Sequence, residues 1–210
     1  MTICLNTVDE AGKHRKLADM KQDFFSHFPS LEDIPHGVKV CFKGEPTANK
    51  ALNLFLIQLA PYGIEPEVRT ILPRGDENLW LCLNDIVNTV NEDYAGTRAT
   101  LILDLVSTSE KMRRNAHGAV RTLAETSKAF AQFPAVRNDG KVVLSFRDGY
   151  PVDAGKLRQL FPPEQFAVEF TSPEPVLALV DYSALGQAGY FRYHSAILED
   201  GEEDNQVVNE

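Results

Sequence analysis

The run Ala99-Thr-Leu-Ile-Leu-Asp-Leu-Val106 is apolar at nearly every position. A strand with one wet face alternates, whereas a parallel strand covered on both faces reads as a continuous apolar run. Parallel neighbours need crossover connections, usually helices, and the rest of the chain supplies them. Val38–Lys43 reads as a strand, followed by a helix whose Leu52, Phe55, Leu56 and Leu59 share one face. Glu67–Leu72 reads as the next strand, followed by a helix striped with Leu79, Cys82, Leu83, Ile86 and Val90. After Ala99–Val106 come a helical turn at Ser109–Arg114 and a helix over Gly118–Phe133. Strand Lys141–Arg147, a short helix Asp153–Phe161 and strand Phe166–Thr171 complete the series. Val176–Tyr182 is a further candidate strand at an edge, and residues 183–198 fit no single pattern.

This alternation predicts an α/β fold with a mainly parallel sheet. The count falls short of eight pairs, so a partial, open (β/α) TIM-type barrel fits better than a closed one, with a doubly wound sheet as the alternative. One domain is expected over 1–198. Its first 37 residues read as a helical segment, because Leu17, Met20, Phe24 and Phe25 recur at helical spacing before Pro29. Val38–Lys43 would then be the first parallel strand, with an open edge that residues 1–30, a second copy or another protein partner could cover.

Six of the nine net negative charges sit in Glu199-Asp-Gly-Glu-Glu-Asp204 and Glu210, so 199–210 reads as an acidic, disordered tail. Neither the tail nor the rest has the balance of a nucleic-acid binder. No apolar run is long enough to span a bilayer, and the N-terminus turns polar too early for a secretory signal, which points to a cytoplasmic chain. Cys4, Cys41 and Cys82 are too few and too scattered for a disulfide framework or for metal-site spacing. The five histidines form no ligand motif, and no phosphate-cradling glycine loop or dinucleotide fingerprint is present.

The strongest pointer to a site is Lys39-Val-Cys-Phe-Lys-Gly-Glu-Pro-Thr-Ala-Asn49. An apolar strand runs into Gly44-Glu45-Pro46, and a helix, capped by Thr47, follows at once. A carboxylate at the carboxyl lip of a buried strand is costly unless something binds it, and in a β/α barrel that lip is where ligands sit. Capping or ion-pairing the next helix is the plainer role for Glu45. Arg69 and Asp104 are charged residues near two further strand ends and could pair with each other. Arg113-Arg114 reads as a solvated pair, Ser107-Thr-Ser109 as a cap, and Tyr190-Phe-Arg-Tyr193 as core.

In order along residues 38–175, these landmarks resemble the radical S-adenosylmethionine superfamily, in the branch related to ribosomal RNA adenine methyltransferases. They are Gly44-Glu45-Pro46 with Asn49, Arg69-Thr-Ile-Leu-Pro-Arg-Gly75, Leu103-Asp-Leu-Val-Ser-Thr-Ser-Glu110, Val143-Leu-Ser-Phe146 with Pro151-Val-Asp153, and Phe161-Pro-Pro-Glu-Gln-Phe166 leading to Thr171-Ser-Pro173. The resemblance implies a partial barrel with S-adenosylmethionine as cofactor. Its amino group would be held at Gly44, Glu45 and Pro46, and other parts would lie near Arg69, Asp104 and Ser145. The departures are as informative. The family fixes a [4Fe–4S] cluster on three closely spaced cysteines after its first strand; this chain has no such cysteine loop and reads as beginning after it. Arg69 stands where the family usually has Ser, Val106 where it has His, and Ser145 where it has Asn. No cysteine follows Cys82 to carry a methyl group.

No iron–sulfur cluster is therefore expected on this chain alone, and a non-catalytic binding or interaction module, a pseudoenzyme, is the leading expectation. One alternative is the C-terminal part of a split enzyme, its first strand and cluster loop supplied by another polypeptide. The other is an unrelated α/β enzyme using Glu45, Asp104 and Asp148 as acid and base.

Overall fold

A computed structural model of the chain describes residues 1–43, 49–71, 99–118, 120–130, 141–171 and 182–193. Six strands form one sheet: β1 (Thr2–Asn6), β2 (Lys39–Lys43), β3 (Glu65–Thr70), β4 (Thr100–Val106), β5 (Lys141–Arg147) and β6 (Phe166–Thr171). Their order in space is their order in the chain, and every adjacent pair is parallel. The described helices are α1 (Leu17–Phe25), α2 (Ala51–Leu59), α3 (Glu110–His117), α4 (Leu123–Phe130), α5 (Ala154–Leu160) and α6 (Tyr182–Gln187). Crossovers between parallel strands are right-handed almost without exception. Six strands added in one direction with one handedness bring their helices to a single face, which is the winding of a partial, open (β/α) barrel and not of a doubly wound sheet.

Packing agrees. One apolar cluster joins Ile3, Leu5, Val40, Phe42, Val68, Leu101, Leu103, Leu105, Val142, Leu144 and Val168 to Met20, Phe24, Leu52, Phe55, Leu123 and Leu157 of the helices. Those strand residues all lie on one side of the pleat, since side chains alternate along a strand. Phe55 sits at its centre, edge-on to Phe24 and Phe42 at centroid distances of 6.3 and 5.9 Å.

The opposite face is also buried. Cys41, Ile102 and Val143 are enclosed there, outside the helix-side cluster. What encloses them is the curl of the sheet. Beyond β6, Phe191–Tyr193 adds a short parallel pairing: Val168 N–H donates to Phe191 O (2.8 Å), and Tyr193 N–H donates to Val168 O (2.6 Å). From there the Tyr193 hydroxyl donates to Glu67 Oε2 on β3 at 2.7 Å. On a flat sheet four strand spacings of about 4.8 Å separate these positions, far beyond a tyrosine's reach. The face away from the helices is therefore concave.

Several sequence expectations are corrected here. The N-terminal segment is not purely helical: Thr2–Asn6 is a strand, and it pairs with β2 residue for residue, Thr2 with Lys39 through Asn6 with Lys43. Val38–Lys43 therefore has no open inner edge, and the cover comes from within residues 1–30. A loop and then α1 follow β1. The helix expected over Gly118–Phe133 begins only at Leu123, after Gly118 ends α3 with φ +70°. The predicted helix around Leu79–Val90 and the strand segment 176–181 lie outside the described residues, as do Thr47 and the tail.

Candidate functional site

Register defines the concave face. Asp104, Ser145 and Glu169 form one row across β4, β5 and β6. The row beneath runs Arg69, Ile102, Val143 and Ala167 across β3 to β6. Asp104, Ser145 and Glu169 each lie two residues from the end of their strand, and Arg69 lies one from the end of β3. Three of the sequence-predicted site residues, Arg69, Asp104 and Ser145, thus share one face at the carboxyl ends of the strands. The other three, Gly44, Glu45 and Pro46, lie outside the described residues.

Arg69 does not pair with Asp104. Its Nη2 bonds Glu169 Oε1 at 2.5 Å, and its Nη1 donates to Ser145 Oγ at 2.9 Å. The curl of the sheet swings β6 toward β3, so the guanidinium reaches three strands across, past its neighbour β4. Electrostatics favours the same choice. Glu169 is fully buried, whereas the Asp104 side chain keeps 23% of its exposure and can be hydrated. A buried carboxylate needs a counter-charge more than a wet one does. Asp104 instead faces His117 of α3, with Nε2 to Oδ1 at 3.6 Å.

Glu169 is only half satisfied. Its Oε2 is buried and has no hydrogen-bond donor. Burial pushes this carboxyl above its usual range, and the Glu67 charge adds to the rise; Arg69 and the Ser145 hydroxyl oppose it. Glu67 is buried on the same face and accepts from Tyr193, whose phenol is pushed up by burial and by that bond. A buried carboxylate oxygen without a donor is an acceptor held ready for an incoming N–H or O–H.

The lip beside this row is braced. β4 ends in a tight turn at Val106, with Ser107 N–H donating to Leu105 O at 2.6 Å and φ +64° at Val106. Positive φ at a β-branched residue is strained by roughly 1–3 kcal/mol, and such strain persists only where the surroundings enforce it. The enforcing contacts are visible. Ser107 Oγ donates to Pro151 O (2.6 Å), Asp153 N–H donates to Thr108 Oγ1 (2.8 Å), and Lys156 Nζ donates to Thr108 O (3.1 Å). The exits of β4 and β5 are thereby tied together. Ser107 serves this brace, in keeping with a structural role over a nucleophile.

Asn49 has a role its motif did not reveal. It is buried; its Nδ2 donates to Thr7 O and Arg15 O, both at 3.0 Å, and its Oδ1 accepts from Ala51 N–H at 2.9 Å. It clamps both ends of the loop after β1 to the start of α2. That loop is folded on itself: Val8 bridges His14, Arg15 N–H donates to Thr7 O, and the Asp9 carboxylate accepts from Ala11 and Lys13 N–H. Arg113, expected in solvent beside Arg114, is 2% exposed and pairs with Glu110 Oε2 at 3.2 Å. Burial lowers its pKa. Tyr190 is core as expected, whereas Phe191 is 78% exposed.

Glu169 was missed by sequence reasoning, although a signal existed. It is a lone acid in Phe166-Ala-Val-Glu-Phe-Thr171, two residues from the strand end, the pattern that drew notice at Glu45. The charged alternation Glu65-Pro-Glu-Val-Arg69 likewise marks one polar face of β3.

Among the described residues no group of three or more His, Cys, Asp or Glu is placed to hold a metal ion, and no helix is long and apolar enough to cross a membrane. No family model matches the chain, and no curated protein matches it. Among solved structures the fold is similar to SuiB of Streptococcus suis, with a TM-score of 0.56 at 12% identity over all of this chain and 53% of SuiB. A crystal structure of SuiB bound to S-adenosylmethionine gives a TM-score of 0.56 at 13% identity over all of this chain and 51% of that one. The chain thus spans about half the length of SuiB, and likeness at this identity is a likeness of fold.

Proposed function

We propose that this chain is a binding module built on a radical S-adenosylmethionine-type partial barrel, and that the concave face takes S-adenosylmethionine without carrying out radical chemistry. The observation that carries the reading is the buried Glu169 Oε2, without a donor, in the Asp104–Ser145–Glu169 row at the carboxyl ends of the strands. Ligands of parallel β/α sheets sit at that end, and a protein of similar fold has been crystallised with this ligand. The ligand offers donors of the right kind, an ammonium group, ribose hydroxyls and an adenine amino group, and its sulfonium adds positive charge. Glu169 Oε2 accepts one of those donors, and the partly exposed Asp104 accepts another. Gly44-Glu45-Pro46 is the seat expected for the amino group.

The donor set does not fit a [4Fe–4S] cluster. Such a cluster needs thiolates converging from one short loop, and the loop from Thr7 to Lys16 contains none. No reaction step is therefore assigned.

Calorimetric titration of the purified chain with S-adenosylmethionine tests the proposal. Saturable heat is expected, weakened at least tenfold by Glu169→Gln and abolished by Glu45→Ala. A chain that gives no heat overturns the reading, and unchanged affinity in Glu169→Gln overturns the placement. Anaerobic reconstitution with iron and sulfide should leave the chain colourless; a brown protein would refute the cluster-less assignment.

A further inference from the structure

The sequence separates Cys4 from Cys41 by a helix and two loops, yet the fold makes them register partners across β1 and β2. Paired residues of parallel strands project to the same face. Here it is the concave one, because Ile3 and Leu5 beside Cys4, and Val40 and Phe42 beside Cys41, all enter the helix-side core. Adjacent parallel strands lie about 4.8 Å apart, within the Cα separation of roughly 4.4–6.8 Å that a disulfide bridges. Both residues are thiols in this structure. They differ in access: Cys4 is partly exposed, whereas Cys41 is 0% exposed.

We propose that Cys4 and Cys41 form a two-thiol redox site, oxidised by peroxides to a cross-strand disulfide and restored by a dithiol reductant. Access sets the order of events. The Cys4 thiolate attacks one peroxide oxygen, the O–O bond breaks, and Cys4 becomes a sulfenic acid while hydroxide, or alkoxide from an organic peroxide, leaves and takes up a proton. The Cys41 sulfur then attacks the Cys4 sulfur, the S–O bond breaks, and hydroxide leaves with the Cys41 proton as water. With hydrogen peroxide, two thiols give up two electrons and two protons, and the oxidant becomes two waters. A buried partner held beside the sulfenic acid captures it before further oxidation. The product ties β1, the edge strand of the described sheet, covalently to β2. The chemistry at Cys4 and Cys41 requires no ligand at Glu169.

The test uses the wild-type chain. It is exposed to hydrogen peroxide, alkylated under denaturing conditions to trap remaining thiols, digested without reduction and mapped by mass spectrometry. The expected product is a linked pair of peptides holding Cys4 and Cys41, lighter by two hydrogens than the separate peptides and released by dithiothreitol. In Cys4→Ser, Cys41 should stay fully alkylatable after the same peroxide treatment, because it has no access of its own. A Cys4 that stops at sulfinic acid while Cys41 remains a thiol overturns the proposal. So does a link to Cys82, a dimer joined through Cys4, or oxidation of Cys41 that persists in Cys4→Ser.

Discussion

The two faces of this sheet are built from the same six strands and obey different rules. On the helix side nearly every inward residue is a branched aliphatic or an aromatic, and Tyr190, whose hydroxyl donates to Phe161 O, is the polar member of the cluster. On the concave side Glu67, Ser145 and Glu169 are as deeply buried as any leucine, and each is tied to a partner on a distant strand. Apolar burial is non-directional and tolerates much variation, whereas a buried polar group is costly unless its partner is in place. The helix side therefore specifies that the sheet forms, and the concave side specifies how far it curls. The concave face carries buried charge and leaves Glu169 Oε2 unmatched, which is why the proposed ligand is placed there.

Substitutions on the two faces should fail in different ways. The largest effect is expected at Phe55. Truncation to Ala empties a fully enclosed site between Phe24 and Phe42 and should cost ~4 kcal/mol, within the usual range for a core phenylalanine. Urea denaturation reads this directly, and a loss below about 1 kcal/mol would mean that the site collapses freely. On the concave face, Arg69→Met should cost ~3 kcal/mol, because it strands the Glu169 charge in a dry position. The informative variant is the double one. Arg69→Met with Glu169→Leu should recover most of that loss, since replacing both members of a buried pair by apolar groups is often neutral. A double variant no more stable than the single one would show that the pair itself holds the curl.

The same contrast explains what could be read from the sequence. The helix side was legible because its signals are local. Leu52, Phe55, Leu56 and Leu59 announce one face of α2 by spacing alone, and all four are buried. The continuous apolar run of β4 announces a strand covered twice, and β5 and β6 fall where expected, at Lys141–Arg147 and Phe166–Thr171. β1 was missed because five residues at a sheet edge, with only Ile3 and Leu5 fully buried, carry too short an alternation. The concave face was legible only in part. Sequence could place Arg69, Asp104 and Ser145 near strand ends, but not decide which acid the arginine would meet. That depends on curvature, which sums small twists over several strands and brings residues 100 apart into contact. The pairing of Cys4 with Cys41 was hidden in the same way, since register is set by strand pairing and not by the intervening sequence.

The smallest expected effect is also the most selective, because it concerns one proton. Glu169 holds its carboxyl proton to higher pH in the folded chain than in the unfolded one, since burial outweighs the pull of Arg69 and Ser145. Between the usual value of 4.5 and the raised one, the folded state therefore binds more protons than the unfolded state. Stability must then fall as pH rises through that window: the contribution is fully present below pH 4.5 and is lost as pH passes the folded value. Asp148, raised by burial against the opposing charge of Arg192, adds a slope of the same sign. Asp23, lowered chiefly by its hydrogen bond to Arg15, acts oppositely and only in more acid solution. Urea midpoints from pH 4 upward should thus decline in the wild type and decline less steeply in Glu169→Gln, with Asp148→Asn removing a further part. Saturating S-adenosylmethionine should flatten the decline relative to the ligand-free chain, because a donor to ionised Glu169 lowers the carboxyl toward its ordinary range. Parallel curves for wild type and Glu169→Gln would show that the carboxylate is already matched, and would remove the distinction between the two faces at the one atom on which it rests.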